Sequence, residues 1–295
     1  MRSKIEFRKI RDFGEIIGDT FLFIRQNFKP FCKALIYLCG LFILAGIVTT
    51  MVTQMQLASM GENPGTSMYA RNTFSSIAKF PLQFLLMILF LMLSYNAIYT
   101  TTYSYIALYI QKGNTPPTVE EVWEYFKFYF FRILGSSIVV SLFLGVCFIC
   151  CIIPGIYVFP AVSIFFPIMV MENGSFGYSF ERSFKLLKEE WWITAAVILI
   201  IWIITYACTT IISLPGVIIA LISAFTHAEQ PITKTYAVVT SISQYLAQIF
   251  YTIPLIASTL IYYNLVERKE SSGLMDRIDS LGQTTNQDLS NPEDY

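Results

Sequence analysis

Charge and histidine are what this sequence has least of. Of its 295 residues, 14% are Asp, Glu, Lys or Arg, against about a quarter in ordinary soluble domains. So few charged side chains cannot cover a water-facing surface. The 20 basic and 20 acidic residues cancel, which removes any global field that would recruit nucleic acid. The single histidine, His227, stands beside Glu229 in a polar stretch and reads as a loop residue. Without further histidines there is no H-E-x-x-H, and neither G-x-S-x-G, a P-loop nor G-x-G-x-x-G after a strand is present. No catalytic residue, metal ligand or cofactor is assigned.

Cysteine is also scarce. The 6 cysteines, at 32, 39, 147, 150, 151 and 208, all lie in or beside apolar runs. Cys147-x-x-Cys150 has redox spacing, but the phrase GVCFICCIIPG holds no His, no second pair and no charge to stabilise a thiolate. These cysteines read as small apolar packing residues. The first thirty residues mix bases with acids and lack an apolar h-region, so no removable signal peptide is expected.

What is abundant is apolar. Hydrophobic residues make up 55% of the chain, and runs of eighteen or more recur, each long enough to cross about 30 Å of hydrocarbon. The reading is an all-α integral membrane protein with about six transmembrane helices, in one membrane domain over 1–266. Spans are expected near 31–53, 80–110, 133–153, 156–171, 192–214 and 236–265. The segment 215–226 is too short to cross, and is either re-entrant or a kinked extension of span five. A polar tail, 267–295, follows and reads as largely disordered.

Amphipathic stripes precede three of the spans. Ile10, Phe13, Ile17, Phe21, Ile24 and Phe28 recur at helical steps over 5–28, with Pro30 ending or re-aiming that helix. Val119, Val122, Trp123, Phe126 and Phe130 do so over 119–131, opened by a capping box at Thr118-x-x-Glu121. Phe176, Phe180, Phe184, Leu187 and Trp191 do so over 175–190. Pro154-Gly155 reads as a tight reversal between spans three and four. The expected architecture is three units, each an amphipathic helix followed by a two-span hairpin. With the N-terminus inside, 17 of the 20 Lys and Arg residues fall on the cytoplasmic side, so both termini are expected there.

Two constellations stand out. Span two carries Tyr95, Asn96, Tyr99 and Thr102 on a mainly apolar helix, and with Tyr262 and Asn264 these are candidates to line a polar cavity. The competing reading is that hydroxyls and amides bond to neighbouring helices while tyrosines anchor at the interface. Glu172, ahead of the Asn173-Gly174 break, is a candidate interfacial contact for Arg182 or Lys185; the bland alternative is an ordinary interfacial carboxylate. The middle of every span lacks ionisable residues, against the habit of energy-coupled transporters.

Several phrases carry a resemblance: GDTFLFIRQNFKPF before span one, Pro154-Gly155-Ile156-Tyr157, ME-x-G-S at Met171 to Ser175, SFERSFKLLKEEWW, and Tyr262-Tyr263-x-Leu265-x-Glu267-Arg268. Together they resemble bacterial proteins similar to the glycerophosphoryl diester phosphodiesterase membrane domain, over most of the chain to about residue 281. The resemblance implies a six-helix membrane domain without the soluble phosphodiesterase domain, and carries over no catalytic residue. The functional expectation is a non-enzymatic protein of the bacterial cytoplasmic membrane. Its first form is a scaffold or accessory component whose partners are the bilayer, anionic lipid at the cytoplasmic face and an unknown protein. The alternatives are a transporter or lipid-handling protein using the span-two cavity and, less favoured, a membrane-embedded enzyme.

Overall fold

A computed structural model describes residues 5–62, 73–150, 152–226 and 230–270, with side chains from 57 to 80 and around 223–233 left out. Most of the polar loop after span one, Cys151, His227 with Glu229, and the tail from 271 lie outside the described residues.

Among the described residues the fold is entirely helical: α1 (Phe13–Glu62), α2 (Thr73–Gln111), α3 (Val119–Cys150), α4 (Ile152–Met171), α5 (Phe176–Leu187), α6 (Trp191–Thr226), α7 (Gln230–Gln248), a 3-10 turn (Ile249–Tyr251) and α8 (Thr252–Glu270). Six stretches are long and apolar enough to cross a membrane, namely α1 to α4, α6 and the combined run Lys234–Glu270. Their outer faces suit hydrocarbon rather than water: Phe131 is 77%, Trp192 81% and Ile149 87% exposed. A soluble protein does not leave so much large apolar surface open.

The helices pack as antiparallel neighbours. Tyr105 near the end of α2 donates to Asn27 near the start of α1 at 3.3 Å, and Thr50 late in α1 meets the Tyr245 hydroxyl of α7 at 3.3 Å. Tyr129 of α3 donates to Val170 O at the end of α4, which makes α3 and α4 a hairpin. Gly46 lets the Tyr245 ring lie directly on the α1 backbone, where any Cβ would collide with it. The Thr118 capping box forms as spaced: its N–H donates to Glu121 Oε2 at 2.8 Å, and Glu121 N–H donates back to Thr118 Oγ1 at 3.4 Å. In the turn before it, Gly113 and Asn114 both take positive φ, 65° and 61°, a conformation these two residue types accept most readily.

Several expected boundaries move. The first helix begins at Phe13, not at residue 5, and residues 5–12 are irregular, with Ile5 and Phe7 buried. Pro30 lies inside α1 rather than ending it, so surface helix and span are one 50-residue helix; a proline removes a single hydrogen bond, and packing on both sides outweighs the loss. Pro154-Gly155 makes no reversal. It lies in the first turn of α4, where a missing N–H costs least; α3 ends at Cys150 and α4 begins at Ile152. Helix α6 runs unbroken through Pro215 to Thr226, so 215–226 extends span five. The sixth span is broken by the 3-10 turn at Ile249–Tyr251.

Helix α5 also differs from its pattern. The most buried positions are Ser179, Ser183, Leu186 and Leu187, while Phe176 stays 37% exposed. Small serines let α5 approach closely, while Phe180 and Phe184 are partly buried against the core and Phe176 meets the buried Phe165 ring, centres 5.2 Å apart. Ser175 is the N-cap, accepting from the Tyr178 N–H at 3.4 Å.

Candidate functional site

A cavity of about 460 Å³ opens between α2, α3, α4, α6 and α8, a size in the range of small-molecule sites. Its wall is mostly aliphatic and aromatic, with Phe159, Phe166 and Trp202 among the rings, and among the described residues no charged one lines it. A few polar groups interrupt that wall. Tyr95, Asn96 and Tyr99 enter from α2, Ser137 and Ser141 from α3, Ser163 from α4 and Ser258 from α8.

Of these, Asn96 is set apart by what it lacks. The residue is 5% exposed. Its Nδ2 donates to Phe130 O on α3 at 3.1 Å, which fixes the amide orientation, since a carbonyl oxygen accepts only from the NH₂ side. Its Oδ1 is buried with no hydrogen-bond partner. An orphaned buried acceptor costs about 1–3 kcal/mol, so a native fold keeps one only where something compensates. The Asn96 backbone carbonyl is separately engaged, accepting from Thr100 Oγ1 at 2.8 Å.

Most other polar side chains of α2 near Asn96 are engaged inside the bundle, although the buried Ser104 Oγ, like Asn96 Oδ1, has no partner. Thr102 is fully buried and returns its hydroxyl to Ile98 O at 2.7 Å, and it does not line the cavity. Tyr103 reaches the wall, with its hydroxyl 3.2 Å from Ser258 Oγ. Tyr99 packs edge-on against Phe166, ring centres 5.8 Å apart. Tyr95, Asn96 and Tyr99 therefore share one cavity, and Thr102, Tyr262 and Asn264 lie elsewhere.

Tyr262 and Asn264 belong to a polar knot at the end of the bundle where α4 and α8 finish. Glu172 Oε1 accepts from Tyr262 Oη at 2.8 Å and from Arg182 Nε at 3.3 Å, and its Oε2 accepts from Tyr178 Oη at 2.6 Å. Arg182 pairs in turn with Glu270 at 2.6 Å. Lys185 is not among the groups on Glu172; its carbonyl accepts from Lys269 Nζ at 2.8 Å. The hydrogen bond to Glu172 holds the Tyr178 phenol above its ordinary pKa. Burial alone would lower the Arg182 guanidinium, but the Glu270 and Glu172 carboxylates raise it. Arg132 extends the knot, donating to Asn173 Oδ1 at 2.7 Å and to the Gly174 carbonyl.

Arg11 was not singled out by the sequence, where it falls among the charged residues of an amphipathic stripe. It is 1% exposed and gathers the irregular N-terminal segment around itself. Its guanidinium donates to Phe7 O at 2.7 Å, to the Glu6 carbonyl and to Asp19 Oδ2 at 2.8 Å. Its backbone N–H donates to Asn264 Oδ1 at 2.8 Å, and Arg268 donates to its carbonyl at 3.2 Å. Asn264 thus ties α8 to the N-terminus. No periodicity distinguishes a buried arginine from an exposed one when the segment holding it is not a helix.

Among the described residues, no group of His, Cys, Asp and Glu is placed to hold a metal ion. The residues of the knot are engaged with one another, an arrangement that joins helices. No protein-family model, curated protein or solved structure matches the chain.

Proposed function

We propose that this protein is a non-enzymatic, multi-pass membrane protein that binds an uncharged, lipid-like molecule in the cavity between α2, α3, α4, α6 and α8. The observation that carries the reading is the largely apolar, uncharged wall, one of whose few polar residues, Asn96, keeps a buried Oδ1 without a partner. Such a wall favours a hydrocarbon chain, and the single orphan acceptor calls for one donor, such as a hydroxyl. A charged solute would lose its hydration with nothing to replace it.

The rest of the reading rests on charge and pattern. The N- and C-termini face the cytoplasm of a bacterial cell, by the distribution of Lys and Arg, and the chain forms three helix-plus-hairpin units. The motif likeness to the glycerophosphoryl diester phosphodiesterase membrane domain supports the same architecture without the hydrolase. Basic residues of the cytoplasmic end meet anionic lipid.

A second reading, an accessory scaffold engaging the bilayer or a membrane partner, draws on α5, whose Tyr178 is 48% exposed beside the half-open Phe176. Lipids co-purifying with the protein separate the two. Binding in the cavity predicts a neutral lipid retained by the native chain and lost from Asn96→Leu. Equal lipid content in both would leave the scaffold reading standing alone.

A further inference from the structure

A second cavity, about 600 Å³, adjoins the first. Tyr95 lines both. Its ring stands edge-on to Tyr251 with centres 5.3 Å apart, and Tyr251 stands against Trp202 at 5.7 Å. Tyr251 belongs to the second wall and Trp202 to the first, so three aromatic rings form the partition. Tyr251 owes its position to the 3-10 turn that interrupts the last span. A short 3-10 stretch within a long helix rotates the following side chains relative to an unbroken α-helix.

The two walls differ in chemistry. Where the first is mostly hydrocarbon, the second mixes apolar residues such as Val217, Ala220 and Leu221 with more amides and hydroxyls, from Gln54, Thr209, Ser213, Thr240, Ser243 and Gln248, and among the described residues no charged group lines it. Thr240 already donates to Gln54 Oε1 at 2.8 Å, and Ser213 to Thr209 O at 3.0 Å. Gln248 is different. It is 1% exposed, Ser94 Oγ meets its Oε1 at 2.9 Å, and its Nε2 has no partner. Turning the amide over exchanges which atom is free and still leaves one free. A ligand hydroxyl, both donor and acceptor, satisfies either orientation.

We infer that the two cavities form one bipartite site for an uncharged lipid with a polyol head. The chain lies in the first cavity, one hydroxyl donates to Asn96 Oδ1, and the rest of the polyol passes the Tyr95–Tyr251 partition to Gln248. The inference rests on the reading of the first cavity and adds the head group to it. A phosphorylated head fits less well, because among the described residues neither wall holds a cation to replace the water such a group gives up.

The test uses Trp202 as reporter, in full-length protein whose other three tryptophans, Trp123, Trp191 and Trp192, are changed to Phe. Two probes with a brominated stearoyl-type chain are compared as quenchers: the monoacylglycerol, which has the polyol, and the fatty alcohol, whose one hydroxyl can satisfy Asn96 only. The monoacylglycerol is expected to bind about tenfold or more tightly than the alcohol, since each tenfold step is about 1.4 kcal/mol, near the worth of one well-made hydrogen bond. Gln248→Leu, and independently Ala220→Phe, which fills the second cavity, are expected to erase that preference while alcohol binding persists and certifies the fold. Equal affinity of the two probes for the native site overturns the polyol assignment, as does a preference unchanged in both variants. If neither probe quenches Trp202, the first-cavity reading itself fails.

Discussion

Tyr262 and Glu172, 90 residues apart, meet in a 2.8 Å hydrogen bond that fastens the last helix to the end of α4. Arg182 completes the joint from α5 at 3.3 Å, so a single carboxylate ties three helices. Removing it leaves a buried phenol without its acceptor. Glu172→Ala is expected to lose about 2 kcal/mol, read as a lower midpoint of thermal unfolding in detergent. Glu172→Gln keeps an acceptor oxygen and should recover part of that loss. A midpoint unchanged in Glu172→Ala would show that the joint adds nothing to stability.

Tyr178, on the other oxygen of the same carboxylate, gives the joint a pH signature. Its folded pKa is raised by the hydrogen bond to Glu172, so the neutral phenol is favoured in the fold. The contribution is fully present below the unfolded tyrosine pKa of about 10 and is lost as pH rises through the higher folded value. The stability gap between the native chain and Tyr178→Phe should be constant from about pH 7 to 9 and shrink above 10. A gap that shrinks on acidification within that range would contradict the assignment.

Arg11 organises the N-terminal segment from a buried position. Arg11→Lys keeps the charge but loses the planar fork that reaches Phe7 O, the Glu6 carbonyl and Asp19 together. Arg11→Met leaves the partners uncompensated, at a cost of about 3 kcal/mol. Limited proteolysis should find residues 5–12 cut first in either variant, with Arg11→Met cut faster. Equal resistance of native and variant chains would show that other contacts hold the segment.

Gly46 allows Tyr245 to lie on the α1 backbone. Gly46→Val must push α7 outward, and overpacking of this kind costs about 1–3 kcal/mol. A lowered unfolding midpoint is expected, partly restored by Tyr245→Ala in the same chain. If the double variant is no better than the single one, the strain lies elsewhere.

The sequence revealed the helices well because hydrocarbon imposes a length and a composition that survive without any knowledge of packing. It was less informative about where helices stop. Pro30 and Pro215 look like breaks, yet α1 and α6 pass through both, because flanking contacts outweigh one lost hydrogen bond. The Thr118 box was legible because its two bonds are local, three residues apart. Arg11 and Gln248 were not, since their burial depends on partners across the bundle. The polar face of span two was visible as a pattern, but the division of labour within it was not: Asn96 and Thr102 look alike in sequence, and only the bond from Asn96 to Phe130 O shows which keeps a free atom.

The central claim, a bound uncharged lipid between α2, α3, α4, α6 and α8, is tested most directly by photo-crosslinking in native membranes. A photoreactive amino acid is placed at Ser137, in the cavity wall, and separately at Ile149, 87% exposed on the outer face. Mass spectrometry then identifies what each captures. The account predicts a neutral lipid at Ser137, diminished in Asn96→Leu, and bulk phospholipid at Ile149. The same phospholipid mixture at both positions, unaffected by Asn96→Leu, would contradict it.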